Sequence, residues 1–281
     1  LLGLPSYEVL RSEEGPVHLG FELSKKDTDV LLRTASKAYN TEINDLLLTA
    51  LGYSLRDLNQ RNTQGITLEG HGREDLFSTI DHSRTVGWFT SMFPVKLELK
   101  DSLKDSIRSI KEGLRSIPNK GVGFGAFAMS SLSEYSQGAL CPISFNYLGQ
   151  FELSSEGDWE VVSGDSGGSV HPANTDHNLL NINGNISKGQ LGFSIGSQLG
   201  LERTEKLITS FKAHLISVIG HCEEVFKAEG ISYTPSDFST IGISELLLDT
   251  NNFLPIGVNL AISVVVDAVE LNLISLYFFS F

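Results

Sequence analysis

Six consecutive residues, Glu69-Gly-His-Gly-Arg-Glu74, bring a carboxylate, an imidazole, a guanidinium and a second carboxylate together. Those groups have the chemistry to move a proton. A short apolar run, Ile66 to Leu68, delivers the chain to Glu69 as a strand. Gly70 and Gly72 then let the backbone turn sharply around His71, which brings polar side chains to the strand end. An ordinary polar loop after a strand has the same composition, so the six residues alone leave both readings open.

The rest of the chain must hold this loop in place. Val17 to Leu23 alternates as a strand after the punctuation of Pro5, Gly15 and Pro16. Asp27 is the expected cap of a first helix carrying Val30, Leu31, Leu32, Ala35 and Ala38. Ile43 to Leu58 is expected as a second helix, whose broad apolar face places it deep in the core. After the loop, Trp88 to Leu99 runs into a strand, and Pro94 is expected to keep a regular ladder from covering all of it. Trp88, Phe89 and Phe93 read as core packing, with the wall of a substrate passage as the functional alternative. Leu103 to Ile117 is an amphipathic helix, with Lys104, Arg108, Lys111 and Arg115 assigned to its outer side.

Gly121-Val-Gly-Phe-Gly125 lacks the Gly-Lys-Ser/Thr of a phosphate loop and reads as a tight turn before a short helix, Phe127 to Tyr135. Cys141 to Gly149 is a buried strand with Asn146 and Tyr147 at its end. Residues 151–162 are a polar connection into a short strand, and 163–178 a long exposed loop. Leu179 to Ile186 and Gln190 to Leu199 form a hairpin across Ser187-Lys-Gly189, and Glu202 to Lys227 a long helix. The boundaries expected are a linker and entering strand over 1–22, the main body over 23–232, and an exit linker with an apolar tail over 233–281.

Composition narrows the function classes. The chain has 281 residues, is 41% hydrophobic and carries a net charge of −13. It can bury a real core, and its acidic surface argues against a nucleic-acid partner. Two cysteines, Cys141 and Cys222, give neither a disulfide framework nor a metal-ligand spacing, so no metal is expected and a reducing cytoplasm is the expected location. No signal peptide is visible, and the absence of an initiator Met suggests a piece of a longer polypeptide. Asn259, Asp267, Glu270 and Asn272 interrupt the apolar run 253–281, so a membrane span is not expected.

Five motifs in order carry a resemblance: Glu69-Gly-His-Gly-Arg-Glu74, Arg84-Thr-Val-Gly-Trp-Phe-Thr-Ser-Met-Phe-Pro-Val95, Asn119-Lys-Gly-Val-Gly-Phe-Gly125, Phe145-Asn-Tyr-Leu-Gly-Gln150 and Tyr233-Thr-Pro-Ser-Asp-Phe238. Together they resemble the epimerization domain of non-ribosomal peptide synthetases, a relative of condensation domains and of chloramphenicol acetyltransferase. The resemblance implies an α/β fold of the acetyltransferase sandwich type, a mixed sheet flanked by helices. It covers only the second of two lobes that meet in a V around a tunnel. The His-His-x-x-x-Asp-Gly motif of the first lobe is missing from this sequence.

The family inverts the Cα configuration, L to D, of an aminoacyl or peptidyl thioester during the biosynthesis of peptide antibiotics and other secondary metabolites. By motif position, Glu69 would be one proton-transfer group, in an acid form that desolvation in the tunnel favours. Its partner would come from the missing motif. Tyr147 would lie near the enolate as donor or relay, and Asn146 would orient the substrate. His71 and Arg73 would support the loop, through hydrogen bonds and an ion pair to Glu74 or Asp81. Arg84 to Val95, with Trp88, Thr90 and Ser91, would form the tunnel floor, and the 163–178 loop would reach toward the first lobe. No cofactor would bind directly, because phosphopantetheine arrives covalently on a peptidyl carrier protein domain. The upstream lobe and the adenylation domain would be further partners, and the fragment alone would be inactive. A condensation lobe that forms amide bonds, or a non-catalytic module that docks the carrier, are the alternative readings.

Overall fold

Alternating stretches of the sequence become six strands of one mixed sheet: β1 (Val17–Glu22), β2 (Thr63–Gly70), β3 (Ser91–Glu98), β4 (Ile143–Phe151), β5 (Leu180–Ser187) and β6 (Gln190–Ser197). The computed structural model describes residues 7–76, 79–129, 140–151, 171, 174 and 177–238. Strand order is β1-β6-β5-β4-β2-β3. The central pairs β2–β4 and β4–β5 are parallel, and the outer pairs are antiparallel. The β5–β6 hairpin turns on Lys188 and Gly189, both at positive φ, which is what a two-residue turn between twisted strands requires.

Among the described residues five α-helices flank the sheet: α1 (Lys25–Arg33), α2 (Ile43–Asn59), α3 (Leu103–Arg115), α4 (Phe124–Met129) and α5 (Leu201–Glu229). Leu46, Leu47 and Leu51 of α2 and Leu207, Phe211 and Leu215 of α5 share one buried cluster with Ile66, Phe145, Ile182, Phe193 and Ile195 of the sheet. β2 to β6 contribute alternate residues to that cluster, and Phe21 of β1 packs against it. The opposite face of the sheet stays open at alternate positions of β1, β5 and β6.

Several local expectations need correction. The α1 cap is Ser24, whose hydroxyl oxygen accepts from the Asp27 N–H at 3.1 Å; Asp27 sits inside the first turn. The ladder does run through Pro94, which pairs with Thr67. Proline is tolerated because, among the described residues, β3 is an edge strand with only β2 beside it. The chain before β1 is no free linker: the Tyr7 hydroxyl, buried, donates to Gln64 Oε1 at 2.8 Å and accepts from the Gly65 N–H. The helix expected over Phe127 to Tyr135 begins earlier, at Phe124, and its continuation past 129 lies outside the described residues. β4 extends past Gly149 to Phe151, so Asn146 and Tyr147 stand mid-strand.

The largest departure is in α3. Arg108 and Lys111, assigned to the outer side, are 3% and 1% exposed. The Lys111 ammonium donates to the Tyr39 carbonyl at 2.9 Å. One turn on, Arg115 makes two bonds to Asp45 of α2, at 3.1 and 2.8 Å. Asp45 is fully buried and also accepts from the Glu42 N–H at 2.7 Å, closing a capping box at the start of α2. Long cationic side chains can be buried when a partner waits for the charged end, and here α2 and the turn before it supply those partners.

The chain divides into two compact units after Ile231. In the second, Thr234 caps a short turn over Pro235–Asp237, and its N–H donates to Asp237 Oδ2 at 2.8 Å. The apolar run 253–281, the connection 152–162 and most of the 163–178 loop lie outside the described residues. Among the described residues no helix is long and apolar enough to cross a membrane.

Candidate functional site

Glu69 is the last side chain that β2 carries before Gly70 ends the strand. The parallel register sets Thr67 beside Ser144 and Leu68 beside Phe145. Two residues on from the first pair, Glu69 reaches Asn146. The Asn146 carboxamide donates to Glu69 Oε2 at 3.0 Å, and the Ser144 hydroxyl lies 3.4 Å from Oε1. Leu68 and Phe145 point into the core, so Glu69, Ser144 and Asn146 stand on the other face, Ser144 buried and the other two partly exposed. A partly exposed carboxylate held from both oxygens is a positioned base. Ser144 is absent from the sequence reading, although a period of two from Asn146 points to it.

Tyr147 does not join this group. Successive strand residues face opposite ways, and Tyr147 packs against the hydrophobic core from the other face, beside Gly184. Burial raises its hydroxyl pKa, so the phenol stays protonated. The structure therefore brings Asn146 to Glu69 and leaves the tyrosine behind the sheet.

The loop after β2 is built by its own residues; His71 meets an expected partner and Arg73 does not. His71, not Arg73, meets Glu74, at 3.0 Å. His71 Nδ1 accepts from the Arg73 N–H at 3.0 Å, which leaves the ring proton on Nε2 for Glu74. Lys120 approaches the other Glu74 oxygen at 3.5 Å. The Arg73 guanidinium instead donates to the carbonyls of His82 and Thr85, at 2.6 and 2.7 Å, and lies over the Phe89 ring at 4.1 Å. Asp81 accepts from the Ser83 N–H. Arg73 thus folds the 82–89 arm back onto the end of β2.

The arm is not core packing. Trp88 is 90% exposed, Thr90 is exposed and only Phe93 of the aromatic trio is buried. Ser91 opens β3 opposite Gly70, with its Oγ buried and, among the described residues, without a hydrogen-bond partner. Gly72, at φ 67°, makes the arm possible: a Cβ there would stand 1.6 Å from the Phe89 carbonyl oxygen. Gly72→Ala is expected to release the arm, raising amide exchange over 82–89 by about tenfold or more while the thermal midpoint moves little. Unchanged protection of those amides would mean that the close approach is not what fixes the arm.

With the geometry in place, comparison with known proteins becomes informative. A family model described as Condensation domain matches residues 14–237. Gramicidin S synthase 1 of Brevibacillus brevis is 40% identical over 241 residues, 79% of this chain and 22% of that protein. Surfactin synthase subunit 1 of Bacillus subtilis (strain 168) is 39% identical over 240 residues, 82% of this chain and 6% of that protein. The chain therefore spans about a fifth or less of these curated relatives. The crystal structure of the epimerization domain from the third module of tyrocidine synthetase B superposes with a TM-score of 0.69 at 36% identity, covering 79% of this chain and 51% of that one. A four-domain nonribosomal peptide synthetase matches at a TM-score of 0.53 and 15% identity, covering 75% and 17%, which speaks to the fold alone. The fold is the chloramphenicol-acetyltransferase-like mixed sheet with flanking helices.

Proposed function

Because this chain belongs to the condensation-domain family of peptide synthetases, we propose that it is the second lobe of an epimerization domain, inverting Cα of an aminoacyl or peptidyl thioester. The observation that carries this reading is the Glu69 carboxylate, held by Asn146 at the end of β2 on the open face of the sheet. The 36% identity with the solved epimerization domain supports it.

A Cα–H beside a thioester is a weak acid, so its removal needs a base already in position. Glu69 takes the proton: the C–H bond breaks, an O–H bond forms on the carboxylate, and the electron pair moves into the thioester enolate. The proton returns to the opposite face from an acid that the family resemblance assigns to the upstream half of the domain. Asn146 keeps the carboxylate aimed, and its own carbonyl oxygen remains to accept a substrate N–H. The substrate arrives on the phosphopantetheine arm of a carrier protein domain, and the adenylation domain selects the amino acid. His71 and Arg73 act on the loop, and Trp88, Thr90 and Ser91 belong to the floor of the passage.

The test is deuterium exchange at Cα of a carrier-bound thioester, measured with the chain joined to the upstream half that its relatives carry. Exchange with the upstream half and none without it is the expected result. A longer amide product without exchange would replace this reading with a condensation lobe, and carrier binding with neither activity would leave a docking module. In the same assay Tyr147→Phe is expected to stay within about tenfold of the parent, the scale of one lost hydrogen bond. A loss a hundred times larger would restore the tyrosine to the chemistry.

A further inference from the structure

The open face of the sheet continues away from Glu69 as a row of hydrogen-bonding side chains. Asn146 of β4 is level with Asn183 of β5, and Asn183 with Ser194 of β6. Asn183 and Ser194 are both exposed, and among the described residues neither side chain has a hydrogen-bond partner. β4, β5 and β6 contain no charged residue, and β2 contains only Glu69. Other charged side chains of this face stand on the flanking strands, among them His18 and Glu22 of β1 and Lys96 of β3, so the row itself has no charge with which to hold a phosphate or an acidic chain. Carboxamides present a donor and an acceptor side by side, the complement of a peptide group.

We infer that this row is a subsite for the peptide upstream of the reacting residue, and that the substrate is a peptidyl rather than an aminoacyl thioester. The inference rests on the isomerase reading for which end of the row is the reactive one. Its continuity with the Glu69 carboxylate and its lack of charge select a neutral, amide-bearing chain as the occupant. Neighbouring strands lie about 4.8 Å apart, so Asn183 stands roughly 10 Å from Glu69 across two strand spacings. An extended chain advances about 3.4 Å per residue, so Asn183 meets an amide about three residues upstream of the inverted Cα. Asn183 is then a specificity residue: it rewards a long acyl chain and ignores a single aminoacyl group.

The test titrates the chain as it stands with two non-hydrolysable pantetheine thioethers, one carrying an N-acetyl amino acid and one an N-acetyl tetrapeptide, followed by the side-chain amide resonances. The tetrapeptidyl probe is expected to bind about fivefold more tightly or better, the value of one net hydrogen bond. Asn183→Ala should erase that advantage and leave the aminoacyl affinity unchanged, while Asn183→Gln keeps part of it. Equal affinity for the two probes, no binding of the longer one, or an advantage that survives Asn183→Ala would each overturn the inference. A fold check by thermal melting accompanies each variant. Cα exchange is a separate readout: if exchange fails while length-dependent binding persists, the isomerase reading falls and the peptide subsite stands.

Discussion

Glu69→Gln, in the chain joined to its upstream half, is expected to slow Cα exchange by about three orders of magnitude, the scale of a lost general base. The substitution keeps the size and shape of the side chain. The Gln oxygen can still accept from Asn146, and the Ser144 hydroxyl can turn to accept from the new NH2, so β2 and its neighbours should fold as before. What disappears is the basic lone pair. Carrier binding and the thermal midpoint should therefore be unchanged while exchange is lost, and that separation distinguishes a chemical role from a structural one. Exchange at the parental rate in this variant would remove Glu69 from the mechanism. Exchange lost together with the fold would show instead that the carboxylate holds β2 against β4.

The second large effect is expected at a distance from the chemistry. Arg115→Met should destabilise the domain at neutral pH by about 2–3 kcal/mol, near the lower end for breaking a buried pair because Arg115 keeps some contact with water. The reason is Asp45. Desolvation by burial pushes its carboxyl pKa up, and the Arg115 guanidinium is the leading opposing influence. Without Arg115 the carboxylate is stranded. The sign follows from linkage: the folded carboxyl holds its proton more tightly than the unfolded one, so its contribution to stability falls as pH rises above about 4. The deficit of Arg115→Met should accordingly shrink when urea denaturation is repeated near pH 5. Asp45→Asn is expected to cost only about 1 kcal/mol, since the amide oxygen can still accept and Arg115 can turn to solvent. A pH-independent deficit in Arg115→Met would show that packing, not charge, is what that side chain contributes.

Much of the architecture was legible in local pattern. The apolar face of α2, the two-residue turn at Lys188-Gly189 and the strand ending at Glu69 each carry a short-range signal that the structure honours. The parts that were not legible depend on partners far away in sequence. Nothing in α3 announces that Lys111 will find the Tyr39 carbonyl, or that Asp45 waits for Arg115 across 70 residues. Pro94 argues against a ladder until the order of strands makes β3 an edge. Arg73 suggests an ion pair by its charge, yet two backbone carbonyls of the returning arm take its donors. Tyr147 is a different case. Its separation from Glu69 follows from the alternation of a strand, but the motif groups it with Asn146 as one polar pair. Proximity in a motif and proximity in space differ when adjacent residues point to opposite sides of a sheet.

The rim formed by β3 carries one more implication. A bare outer strand is an invitation for another polypeptide to add itself by main-chain pairing. Pro94 interrupts the run of donors halfway along, and the Lys96 ammonium projects nearby. A foreign strand laid along this border would meet a missing N–H and a solvated charge, so lateral zippering is discouraged from that side. The same imino acid that obscured the strand in the sequence thus guards this border against pairing edge to edge with a second sheet.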